Sequence, residues 1–106
     1  MPVRTLKRRY IALRIMGDEV LNRFQLIDYI KSCLSQIDRV EVDKVKLRLI
    51  ELDLERKNCI IRCTHKYSQN VKDCLQDGRI GDSEIIIRVL GVSGTIKALR
   101  RKFLKN

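Results

Sequence analysis

The chain has 106 residues, 44% of them hydrophobic and 34% charged, with a formal charge of +10. That length suits one domain spanning residues 1–106, the apolar share is too high for a disordered tail, and the excess charge implies a polyanionic partner. No stretch approaches the roughly 20 apolar residues of a membrane-spanning helix, so a soluble, intracellular protein is expected.

Arg9 to Met16 alternates, with Ile11, Leu13 and Ile15 on one side and Tyr10, Ala12, Arg14 and Met16 on the other, which predicts a half-buried strand. Asn22 with Gln25 forms a capping-box pattern, and Phe24, Ile27, Ile30, Leu34 and Ile37 then recur at helical spacing, so a helix ends near Ile37. Val45 to Leu54 and Lys57 to Thr64 read as two strands joined by a hairpin centred on Glu55 and Arg56. Tyr67, Val71, Cys74 and Leu75 mark a second helix, entered at His65 and stopped by Gly78 in a left-handed conformation. Ile85 to Leu90 is strongly β-branched and predicts a fourth strand. Ser93 then caps a last helix with Ile96, Leu99 and Phe103 as its buried stripe.

The order β-α-β-β-α-β-α is an α+β pattern. It predicts a ferredoxin-like, split β-α-β sandwich, with a four-stranded antiparallel sheet, two helices on one face and an added C-terminal helix. The face away from the two helices then presents one arginine per strand, Arg14, Arg48, Arg62 and Arg88. It also carries Tyr10, Ala12, Ile50, Ile60, Ile86 and Leu90, too apolar to stay fully wet, so the terminal helix or a partner covers part of it.

Charge is segregated. Residues 1–14 and 88–106 hold 11 of the 23 basic residues and no acid, leaving 12 basic against 13 acidic residues between them. A basic N-terminal arm and a basic C-terminal helix result. Antiparallel pairing of the first and fourth strands brings the chain near Lys7, Arg8 and Arg9 to the chain near Ser93, so the two basic ends converge. Ser93, Gly94 and Thr95 offer free backbone amides and hydroxyls at a helix N-terminus, where the dipole favours phosphate, and Lys97, Arg100 and Arg101 follow on the helix.

Catalysis by side chains finds no support. His65 is the sole histidine, paired acids such as Asp18 with Glu19 or Asp53 with Glu55 read as solvated loop ends, and no phosphate-loop or dinucleotide glycine pattern occurs. Cys59 and Cys63 on one strand would stand roughly 13 Å apart, too far for one zinc ion, and all four cysteines are expected reduced in the core. RNA-recognition motifs stack bases on strand aromatics, yet the third strand reads Cys-Ile-Ile-Arg-Cys-Thr, so the expected RNA is structured and read through phosphates and shape.

Lys-Arg-Arg-Tyr at residues 7–10, Ile60-Ile61-Arg62-Cys63 and above all the run from Arg88 to Ile96 resemble the Pop-five subunit family of archaeal and eukaryotic ribonuclease P, also called protein component 2. Asp38 to Lys44 departs from it, where the family often has a glycine-containing loop. The resemblance implies a non-catalytic protein subunit of the ribonucleoprotein that removes 5′ leaders from precursor tRNAs, with RNA-bound magnesium performing hydrolysis and no cofactor on this chain. It further implies a TIM-barrel Rpp-thirty partner, two copies of each, and a cytoplasmic location, or a nuclear or nucleolar one in a eukaryote. Lys7, Arg8, Arg9, Ser93, Gly94, Thr95, Lys97, Arg100 and Arg101 are the RNA-binding candidates. The competing reading is a basic module for an acidic protein; a metal-dependent nuclease is a third.

Overall fold

The computed structural model describes residues 7–17, 22–37, 41–53, 55–75, 78–79 and 86–104. Its elements are β1 (Arg8–Met16), α1 (Arg23–Ser35), α2 (Val42–Val45), β2 (Arg48–Asp53), β3 (Asn58–Thr64), a 3-10 turn (His65–Tyr67), α3 (Ser68–Leu75), β4 (Gly78–Arg79), β5 (Ile86–Ser93) and α4 (Ile96–Phe103). The sheet order is β2-β3-β1-β5-β4 and every pairing is antiparallel. Four long strands in this order, with α1 and α3 on one face, make the expected α+β ferredoxin-like sandwich. The two-residue β4 is an edge addition, and it corrects the expectation for Gly78, which pairs with Ile87 instead of capping a helix.

Alternation in β1 puts Ile11, Leu13 and Ile15 into a core shared with Leu26, Ile30 and Leu34 of α1 and Val71, Cys74 and Leu75 of α3. The capping box forms as expected, Asn22 Oδ1 accepting from the Gln25 amide at 2.8 Å and Gln25 Oε1 from the Asn22 amide at 3.1 Å. The helix nevertheless ends at Ser35, and its buried stripe is Leu26, Ile30 and Leu34. Phe24, expected in that stripe, is 74% exposed, because at 3.6 residues per turn it lies about a third of a turn round the helix from the buried Leu26, Ile30 and Leu34. The hairpin turn is held by Asp53, whose Oδ1 accepts from the amides of Glu55 and Arg56 at 3.1 Å each. Asp18 and Glu19 lie outside the described residues, as do residues 38–40 of the divergent loop.

The opposite face is covered by α4. Ala12, Ile60 and Leu99 form a second buried cluster, with Tyr10, Ile50, Leu90, Ile96, Phe103 and Leu104 packed around it. Two register shifts aim residues into this layer. One lies between Leu49 and Glu51 and the other opposite the Ala12–Leu13 step, so Ile50 and Leu90 are each one residue extra in their strands. Consequently Glu51 and Gly91 face α4 together with the residues before them.

The cysteines divide into two kinds. Cys59 and Cys63 are free and buried in the main core, as expected. Cys33 of α1 and Cys74 of α3 are instead joined as a disulfide, with their Cα atoms 6.0 Å apart, so the expectation of four reduced cysteines is corrected. Burial pushes the Cys59 thiol up to about 12 and the Cys63 thiol to about 11. An acid whose pKa is raised by folding stabilises the fold fully below the unfolded value near 9 and progressively less above it, because the unfolded chain alone then gains from ionising. Denaturant midpoints measured across alkaline pH are therefore expected to fall above about pH 9 and to fall less in a Cys59→Ala variant.

Candidate nucleic-acid interface

Extension of β5 to Ser93 decides the geometry of the interface. Because strand pairing runs three residues past Leu90, Ser93 sits opposite Tyr10 instead of capping α4. The cap is Thr95, whose hydroxyl accepts from the Ala98 amide at 3.2 Å, while Ser93 Oγ accepts from the Thr95 amide at 3.5 Å. Both hydroxyls are thus tied to the entry of α4, and Gly94 and Thr95 are exposed there.

The convergence of the basic ends is observed. A Cβ built on Gly94 would come within 3.2 Å of Arg9 Nη1, so the Arg9 guanidinium lies over the loop that opens α4. That guanidinium also donates to the Arg8 carbonyl at 3.2 Å. Lys7 is exposed, and its carbonyl accepts from the His65 amide at 2.7 Å, which fixes the chain where it enters β1. Lys97 and Arg101 are exposed on α4. Arg100 is drawn the other way, donating from Nη2 to Glu51 Oε2 at 2.6 Å across the second hydrophobic layer. Sequence spacing could not anticipate that bond, since it depends on the register shift in β2 that turns Glu51 toward α4.

Register also orders residues that are scattered in the sequence. Arg48, Arg62, Tyr10 and Ser93 form one row across β2, β3, β1 and β5, and Arg14 stands opposite Arg88 on the far side of the α4 layer. Arg48, Arg14 and Arg88 are exposed and Arg62 is half-buried. A cavity of about 130 Å³ between α4 and the β2-β3 hairpin is lined by Glu51, Asp53, Asn58 and Arg100 among others, and is small beside the few hundred Å³ typical of ligand pockets. Among the described residues no group of three or more His, Cys, Asp and Glu converges, and no helix is long and apolar enough to cross a membrane.

Known proteins resemble this chain in sequence and fold. Residues 9–104 match the model of the Rpp14/Pop5 family. The chain is 37% identical over 100 residues to ribonuclease P protein component 2 of Pyrococcus furiosus and 38% identical over 100 residues to that of Pyrococcus horikoshii, covering 92% of this chain and 83% of each relative. The counterpart of Methanothermobacter thermautotrophicus is 30% identical, covering 98% of this chain and 90% of the relative. In fold, a chain of the cryo-EM structure of yeast ribonuclease MRP superposes with a TM-score of 0.62 at 14% identity, covering 89% of this chain and 79% of that one.

Proposed function

The chain belongs to the Rpp14/Pop5 family, and from that premise we propose that it is a protein subunit of ribonuclease P, binding and supporting the catalytic region of its RNA. The observation that carries the reading is the convergence of Lys7, Arg8 and Arg9 with Ser93, Gly94 and Thr95 at the foot of α4, all but Lys7 and Arg8 within the span that matches the family. Phosphates of a folded RNA would accept from the Arg9 guanidinium and the amides opening α4, while Lys97 and Arg101 follow the strand outward. Arg100 serves mainly to hold α4 against β2 through Glu51.

Hydrolysis belongs in this reading to magnesium held by the RNA, which would activate the attacking water and stabilise the leaving oxygen. This chain's part in the reading is to position the RNA through its basic side chains. The wider assembly pairs the chain with a TIM-barrel Rpp-thirty subunit, two copies of each, and meets precursor tRNA at least indirectly. It works in the cytoplasm, or in the nucleus or nucleolus of a eukaryote.

The test is leader cleavage of a precursor tRNA by the cognate RNA at moderate magnesium, with and without this protein and its Rpp-thirty partner. Stimulation requiring this chain is expected. Lys97→Ala with Arg101→Ala should also lower the slope of log affinity against log salt by about 2, one for each phosphate no longer neutralised. A folded chain that neither stimulates cleavage nor binds the RNA would move the reading to a basic module for an acidic protein.

A further inference from the structure

We propose that the row Arg48–Arg62–Tyr10, together with Arg8, is a second phosphate-binding track that carries the RNA backbone across the outer sheet face from Ser93 to the β2 edge. The inference rests on the RNA-binding reading above and extends it to residues on two further strands, β2 and β3.

Strand register aligns the row. Tyr10 is paired with both Arg62 and Ser93, and Arg62 is paired in turn with Arg48. Paired residues of neighbouring strands share a face, so at about 4.8 Å per strand the row runs roughly 14 Å in a straight line ending at the Ser93-Gly94-Thr95 loop. Arg8 lies two residues before Tyr10 and adds a further exposed cation on that face.

The row is costly for the free protein. Arg48 and Arg62 stand directly opposite each other, and like charges in that relation destabilise a sheet. Among the described residues neither they nor Arg8 takes part in an ion pair; the acid on the neighbouring row, Glu51, is committed to Arg100. The Arg62 Nε is buried without an acceptor, which leaves this guanidinium held in place and short of a partner. Guanidinium contacts to phosphate oxygens relieve the repulsion between the opposed cations. An acidic protein fits less well, because a protein interface is built around an apolar core, and α4 already covers the apolar part of this face.

The experiment measures binding of the cognate ribonuclease P RNA between about 50 and about 200 mM salt for three full-length proteins. These are the wild type, Arg48→Gln/Arg62→Gln, and Arg23→Gln/Lys31→Gln, which removes equal charge from exposed positions of α1. The row variant is expected to lose about tenfold or more in affinity at the low-salt end and about 2 in log–log slope, while the α1 variant tracks the wild type. The row variant's thermal midpoint should equal or exceed the wild-type value, since an opposed pair of cations is gone. Equal losses in the two variants, or an unchanged slope in the row variant, overturn the track while leaving wild-type binding and the subunit reading intact. A wild-type chain that fails to bind the RNA overturns both.

Discussion

Replacing Gly91 by alanine is expected to destabilise the protein by about 2–3 kcal/mol, a large effect for one methyl group. The reason is local. A Cβ at Gly91 would meet the Phe103 ring far inside van der Waals distance. Something must move, and Phe103 is the last residue of the helix it anchors. With only eight residues, α4 is too short to persist as a helix in water, so its structure depends on docking. Displacing Phe103 therefore loosens Leu99 and Ile96 together and uncovers Ala12 and Ile60, which are buried beneath them. Lys97 and Arg101 lose their placement in the same event, so RNA affinity should fall alongside the denaturant midpoint.

A double-mutant cycle separates this account from a general intolerance of strand β5. Phe103→Ala alone should cost about 2 kcal/mol, below the roughly 3–5 kcal/mol of a fully buried aromatic truncation because the ring is half-exposed. Once the ring is absent, the atoms nearest to a Cβ at Gly91 are gone. Gly91→Ala with Phe103→Ala is then expected to be no less stable than Phe103→Ala alone. Additive losses would mean that Gly91 is required for some other reason and that Phe103 is not its seat.

The register shifts in β2 and β5 that build this layer mark the limit of what the sequence could disclose. Period-two patterning in β1, the Asn22–Gln25 capping box and the charged turn at Glu55 and Arg56 are local features, and each forms where local chemistry puts it. A strand that inserts one extra residue, as at Ile50 and Leu90, breaks the alternation without any distinctive residue to announce it. The consequences were correspondingly hidden: the Glu51–Arg100 pair, the Gly91 seat, and Thr95 in place of Ser93 as the cap. Phe24 shows a related limit, since helical spacing identifies an apolar arc but not which part of it turns to the core. The convergence of the basic ends was legible in outline because antiparallel pairing alone brings the chain at Lys7–Arg9 to the chain at Ser93. The arginine row was half legible: one arginine per strand can be counted, but alignment of Arg48 with Arg62 and Tyr10 requires the register.

The Cys33–Cys74 link is the feature least accessible from sequence and carries the second large prediction. Its partners come from different helices, α1 and α3, and are 41 residues apart in the chain, with α2, β2 and β3 between them. Closing a loop of that length removes conformational freedom from the unfolded chain worth about 4 kcal/mol on the chain-entropy estimate. Tyr29 reinforces the junction, its hydroxyl donating to the Cys74 carbonyl at 3.3 Å. Purified without reductant and alkylated after unfolding, the protein should take up two labels, at Cys59 and Cys63, and four after reduction. The thermal midpoint of the wild type should drop on reduction, whereas a Cys33→Ser variant should start low and ignore the reductant. Four labels without reductant would refute the link. The same burial that makes Cys59 and Cys63 poor acids protects it: disulfide exchange needs an attacking thiolate, and thiols pushed up to about 12 and about 11 supply almost none near neutral pH. The two buried cysteines are thereby kept out of exchange, and the α1–α3 pairing is the one the fold retains.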